Sequence, residues 1–239
     1  MEKKYFFKTL LLLLIVGLSS QPFTAQAQKS KKDYLVEIRT SFGNIYLVLY
    51  QDTPNHRANF IRLAKKGFFK DLLFHRIIDK SIIQGGDPQS KNAPQGKILG
   101  AGGGELGLIA AELHPHRFHK RGALAAARQP NPVKASSACQ FYIVQGRKIS
   151  PQQLAMTARQ KGLSYTPAQK KIYEEQGGIP ALDQEYTVFG EVIKGMDVVE
   201  KIAAQDKDRF DRPYKDIKMN IIVRKVKKKK ITKKYGYQY

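Results

Sequence analysis

The chain has 239 residues, 42% hydrophobic and 26% charged, which supports one sizeable core and excludes a generally disordered chain. Lys and Arg number 42 against 20 Asp and Glu, and the resulting net charge of +22 favours polyanions and acidic surfaces without selecting either. One cysteine, Cys139, excludes an intramolecular disulfide and any multi-cysteine metal cage.

The N-terminus begins Met-Glu-Lys-Lys, continues through an apolar stretch from Leu10 to Leu18 and reaches Ala25-Gln26-Ala27. A basic start, a short apolar run and an Ala-x-Ala signal predict a secretory peptide at 1–27. The run is well below the roughly 18 residues of a spanning helix, so no permanent membrane span is expected. Residues 33–39 and 44–50 alternate apolar and polar side chains around Thr40-Ser41-Phe42-Gly43, which predicts a half-buried hairpin. Thr53-Pro54 then opens a helix that Gly67 closes, with the threonine hydroxyl as its expected cap. Short apolar runs punctuated by glycine follow, including Ile82-Ile83 before Gly85-Gly86, the Gly102-Gly103-Gly104 run and 141–144. Their spacing fits a closed or nearly closed antiparallel sheet.

Ser150-Pro151 and Thr166-Pro167 each start a helix, and these end near Gly162 and Gly177-Gly178; the pair reads as a helical hairpin inserted in a loop at 147–180. A strand at 186–189, a core-facing helix around 196–204 and a last strand at 218–226 complete the domain, expected to span 28–226. Residues 227–239 carry many lysines and no acid, and are expected to form an exposed basic tail able to contact anionic surfaces. The tail has no aromatic platform before Tyr235, so nucleic-acid binding is not supported.

Four ordered segments carry the chemistry: Phe74-His75-Arg76-Ile77-Ile78, Ile82-Ile83-Gln84-Gly85-Gly86-Asp87, the stretch from Gly122 to Arg128, and Ser137-Ala138-Cys139-Gln140-Phe141-Tyr142-Ile143. With Leu182-Asp183 and Val188-Phe189-Gly190, they resemble the cyclophilin family of peptidyl-prolyl isomerases over roughly 34–225. The resemblance implies a mainly β fold: a closed eight-stranded antiparallel barrel with two packing helices and the helical insertion in a loop. It also implies that Arg76 is the catalytic residue and that Gln84 and Gln140 orient the substrate backbone. Ile82, Tyr142 and Leu182 would wall the proline pocket, Ala127 and Arg128 would form the peptide-binding edge, and Tyr186 would stand near the mouth. No metal or organic cofactor is called for, and the partners implied are proline-containing polypeptides.

The chain departs from the family pattern at several positions. Ser81 stands where a phenylalanine is common, Ile82 where methionine is frequent, Ala181 where some relatives have tryptophan, Arg128 for asparagine and Tyr186 for histidine. An aromatic wall buries roughly 150–250 Å², so its loss at Ser81 matters physically. The leading expectation is a periplasmic or extracellular isomerase acting on exported proteins; the alternative is a proline-peptide-binding chaperone or scaffold with little turnover. Arg128 is expected either to favour an acidic substrate residue or to lie in solvent with only its backbone contributing. Cys139 is expected to be a structural thiol and His75 a structural ring. His114, His116 and His119 are not expected to hold a metal, because Pro115 interrupts regular projection.

Overall fold

The computed structural model describes residues 30–239, so the expected leader at 1–27 lies outside the described residues. The predicted hairpin is present as β1 (Lys32–Thr40) and β2 (Gly43–Leu49), joined by the two residues Ser41 and Phe42. The hydroxyl of Thr40 fixes this turn, accepting from Phe42 N at 3.1 Å and donating to Gly43 O at 2.9 Å. Next come α1 (Pro54–Lys65), β3 (Leu72–Ile78), β4 (Ile82–Gly85), β5 (Leu108–Ile109), β6 (Ala123–Ala126), β7 (Ser136–Ser137) and β8 (Phe141–Val144). The chain continues through α2 (Pro151–Lys161), α3 (Pro167–Glu175), β9 (Val188–Lys194), α4 (Met196–Ala203), β10 (Lys218–Lys227) and α5 (Lys228–Tyr235).

Eight strands close a barrel in the order β1-β10-β3-β4-β8-β6-β9-β2, with antiparallel neighbours throughout, while β5 and β7 pair outside it. Closure removes the unpaired edges that an open sheet would present to other chains. The period of two along each strand then separates two faces. Phe74, Ile83, Leu124, Phe141 and Ile143 point into the main core, and helices α1 and α4 pack Phe60, Leu63, Val199 and Ile202 against it. Ile82, Ala125, Tyr142 and Val144 point to the outer face and build a second, smaller cluster.

The start of α1 differs from the expectation. Thr53 makes no side-chain cap, since its hydroxyl donates back to Tyr50 O at 3.4 Å. Glu112 caps the helix instead, accepting from the backbone N–H groups of Asn55 and His56 at 3.0 Å each. Burial alone would raise the Glu112 pKa, but the two backbone donors and the His56 ring outweigh it and hold this carboxyl below its ordinary range.

The inserted hairpin follows its sequence signals closely. Ser150 and Thr166 each form a reciprocal capping box with the glutamine three residues on, Gln153 and Gln169. Leu154 of α2 and Tyr173 of α3 meet Phe118 and Ile149 in a satellite core, so the insertion is packed onto the barrel.

The basic C-terminus corrects the reading of an exposed tail. β10 runs on to Lys227, and α5 inserts Ile231, 0% exposed, between Leu35 and Val48 on the outside of the barrel. Tyr235 joins it, its ring 5.2 Å from that of Tyr46. One apolar side chain and one aromatic ring thus dock a helix whose Lys229, Lys230, Lys233 and Lys234 remain exposed.

Candidate functional site

The site grows from an irregularity in β3. Pairing with β4 runs Phe74↔Gly85 and then Arg76↔Gln84, leaving His75 as an extra residue in a bulge. With regular alternation, Phe74 and Arg76 would share one face; the bulge keeps Phe74 and Ile77 in the core and turns Arg76 outward. Register across the neighbouring strands then extends a row, Arg76↔Gln84↔Tyr142↔Ala125, over β3, β4, β8 and β6. Residues separated by up to 66 positions in the chain become neighbours on one outer face.

That face floors a cavity of about 580 Å³. Of the nine residues expected at the site, Arg76, Ile82, Gln84, Ala127, Arg128, Tyr142, Leu182 and Tyr186 line it. Gln140 does not. It lies beneath the adjoining groove, where its amide nitrogen donates to Gly100 O and Gly102 O at 2.9 Å each and its carbonyl accepts from Gln84 Nε2 at 3.2 Å. Gln140 therefore pins the glycine segment and orients Gln84. At Gly103 two requirements coincide: its φ of +93° lies in the left-handed region, and a Cβ there would clash with the Cys139 sulfur.

Arg76 is 45% exposed on its side chain, with Nε 3.5 Å from Asp211 Oδ2. Asp211 is itself tied to β3, its carbonyl accepting from Ile77 N at 2.8 Å, and Lys207 binds its other carboxylate oxygen at 2.8 Å. The guanidinium is thus held loosely by a carboxylate shared with a second cation, and it borders the cavity. A further rim, residues 93–97, hangs from the buried Arg212, which donates to Ala93 O, Pro94 O and Lys97 O at 3.1, 2.7 and 3.1 Å.

Arg128 occupies neither of its expected states. Its Nε donates to Glu185 O at 2.9 Å, its Nη2 to Glu185 Oε2 at 3.2 Å, and the guanidinium stacks 4.8 Å from the Tyr186 ring centroid. It is therefore neither in open solvent nor a free cation for substrate; it fixes Tyr186 at the mouth. Glu185 also accepts from Lys134 at 3.0 Å and Lys161 at 3.3 Å, and Lys134 first among these cations holds its carboxyl below the usual range.

Behind Tyr142 runs a buried chain of hydrogen bonds. Its hydroxyl lies 2.9 Å from His119 Nε2, and His119 Nδ1 lies 2.9 Å from Asp183 Oδ1. Asp183 Oδ1 also accepts from His119 N at 2.7 Å, while Oδ2 accepts from the hydroxyls of Tyr165 and Tyr173 at 2.8 and 2.6 Å. Burial, with the Asp183 charge second, pushes both of those hydroxyls far above the ordinary tyrosine range and keeps them as donors. The pocket wall is thereby braced by the inserted helices. No local sequence signal gives His119 this bracing role; its neighbours His114 and His116 turn to Asp52, and among the described residues no group of three or more His, Cys, Asp or Glu side chains is arranged to hold a metal ion.

Two titratable groups near the cavity are tuned away from reactivity. Burial pushes the Cys139 thiol up to about 11, which leaves it protonated and unreactive at neutral pH. Burial pulls His75, 3% exposed, down from 6.5 to about 4. Between those two values the unfolded chain binds a proton that the folded chain does not, so stability present above pH 6.5 drains away as the pH falls toward 4. His56, also lowered by burial, adds to the same trend. Urea midpoints are expected to hold from pH 7.5 to about 6.5 and then fall toward pH 5, and His75→Phe is expected to flatten that fall; an unchanged slope in the variant would contradict the assignment.

Comparisons with known proteins agree with this architecture. The model of the cyclophilin-type peptidyl-prolyl cis-trans isomerase family matches residues 35–223. A Streptococcus pyogenes protein named as a candidate bifunctional phosphatase/peptidyl-prolyl cis-trans isomerase is 35% identical over 76% of this chain, which spans 37% of that protein's length. A candidate peptidyl-prolyl cis-trans isomerase of Staphylococcus saprophyticus is 32% identical over 77% of this chain and 88% of its own. The crystal structure of a Cryptosporidium parvum cyclophilin-type isomerase, determined in the presence of the dipeptide Ala-Pro, superposes with a TM-score of 0.56 at 23% identity, covering 80% of this chain and 98% of that one, and shares the fold. The family match over 35–223 and the Staphylococcus saprophyticus relative together show that this chain belongs to the cyclophilin-type peptidyl-prolyl cis-trans isomerases.

Proposed function

We propose that the chain accelerates rotation about Xaa-Pro bonds in exported polypeptides, and that Arg76 stabilises the twisted amide. Rotation about a peptide bond is slow because nitrogen conjugates with the carbonyl, giving a barrier of about 18–20 kcal/mol. At the perpendicular geometry that conjugation is lost and the nitrogen lone pair becomes a hydrogen-bond acceptor. A guanidinium beside the proline ring donates to that lone pair only at the twist, which is the differential binding that lowers a barrier. Ile82, Tyr142 and Leu182 would hold the ring through apolar contact, and Gln84, itself oriented by Gln140, would bind the neighbouring carbonyl. The observation that carries this reading is the ladder row placing Arg76, Gln84 and Tyr142 side by side above one cavity.

Export rests on the basic-apolar-Ala-x-Ala leader of the sequence. The exposed lysines of α5 suit contact with anionic envelope material. Both parts are testable together: expressed in a secreting host, the chain is expected to appear outside the cytoplasm with a new N-terminus near residue 28, and to speed the proline-limited refolding phase of an exported protein. An intact Met1 terminus would contradict export, and an unchanged refolding phase would contradict the client class.

A further inference from the structure

A second cavity, also about 580 Å³, adjoins the first and shares Ser81 and Ile179 with it. Its far wall comes from the inserted helix α2, through Gln153, Met156 and Thr157. Ile149, Pro180 and Ala181 supply apolar floor, and Lys80 and Arg147 stand with Asp79 at the rim. The two cavities meet along Ser81 and Ile179, and at Ser81 the boundary carries only a small side chain.

We infer that this groove is a substrate subsite, one that receives a bulky apolar side chain a few residues away from the isomerised proline. The inference rests on reading the first cavity as the proline site, and three features support it. Adjacency is the first, since the two cavities share Ser81 and Ile179 and a chain leaving the first over the small Ser81 side chain is directed toward the second. A sphere of about 580 Å³ is on the order of 10 Å across, so at about 3.3 Å per residue the centre-to-centre separation corresponds to about three residues. Chemistry is the second: Met156, 57% exposed, faces an apolar floor and adapts to varied apolar partners through its flexible thioether. Rigidity is the third. Leu154 anchors α2 in its satellite core, and Tyr165 and Tyr173 tie the hairpin to Asp183, so the wall stands ready before substrate arrives. At the rim, Gln145 fixes the 79–80 turn, donating to Asp79 Oδ1 at 3.2 Å and accepting from Lys80 N at 2.6 Å.

The insertion thus replaces missing aromatic walls with a longer recognition surface, trading a tight proline pocket for contacts further along the polypeptide. The test uses decapeptides holding one Ala-Pro and otherwise serine, against peptides with a single leucine three residues before or three residues after the proline. Equilibrium binding is measured by titration. A leucine peptide is expected to bind wild type about tenfold tighter than the serine reference, the scale of partly burying one such side chain. Met156→Asp is expected to erase that gain while binding the serine reference within about twofold of wild type. The inference is overturned if no leucine position gives a gain that Met156→Asp removes. Binding is read independently of turnover, so a chain that binds the peptides without isomerising them would contradict the catalytic reading and leave the leucine ratio intact.

Discussion

Replacing Asp183 by alanine is expected to destabilise the fold by about 3–5 kcal/mol, the range seen when one partner of a buried charged network is removed. The carboxylate is 2% exposed and accepts four hydrogen bonds, from His119 N, His119 Nδ1, Tyr165 and Tyr173. Alanine strands the buried donors of His119 N, His119 Nδ1 and Tyr173, while the half-buried Tyr165 hydroxyl keeps Pro180 O as an acceptor at 3.5 Å. Each orphaned buried group costs about 1–3 kcal/mol, and partial relaxation of the inserted hairpin recovers some of that sum. Urea denaturation at pH 7.5 measures the loss. A change under 1 kcal/mol would mean that the insertion is not braced through this residue. Tyr173→Phe removes one donor and keeps the carboxylate's other partners, so a much smaller loss is expected from the same measurement.

For Arg76→Ala the expected result is a fall in kcat/KM of about 100-fold, about 2.7 kcal/mol of transition-state stabilisation, with the fold intact. The magnitude follows from mutational losses of a single preorganised donor in other active sites. Little of it should come from folding, because the side chain is 45% exposed and its Asp211 contact is long. Arg76→Lys keeps the charge but loses the rigid planar fork, so it is expected to recover only a minor part of the rate. Asp211 aims the guanidinium, and its own position is set by the bond its carbonyl accepts from Ile77 N.

Much of the fold was legible because its signals are local. The hairpin follows from alternation on either side of a four-residue turn, and both insertion helices from a cap, a proline and a glutamine within four residues. What the sequence hid depends on distance. Glu112 caps α1 from 57 residues away, where no pattern around Thr53 could announce it. Ile231 docks α5, yet a single apolar residue in a lysine run has no periodicity to reveal a buried face. At the site, the ordered motifs led to residues that the barrel gathers on one face, but the bulge at His75 that turns Arg76 outward has no signature in Phe74-His75-Arg76 itself. Arg128 lines the cavity, but its side-chain pairing was not legible: its partners Glu185 and Tyr186 lie 57 and 58 positions away, and a substitution read against a family pattern says nothing about who pairs with the new side chain.

On the proposed mechanism the Arg76 guanidinium favours the twisted prolyl amide over either planar isomer. Exchange NMR on an Ala-Pro peptide at saturating protein separates binding from rotation, because it reads cis–trans interconversion within the complex. Wild type is expected to bring that exchange into the range of seconds or faster, while Arg76→Ala binds the peptide with similar affinity and exchanges it about 100-fold more slowly. Equal exchange rates at equal saturation would contradict the account.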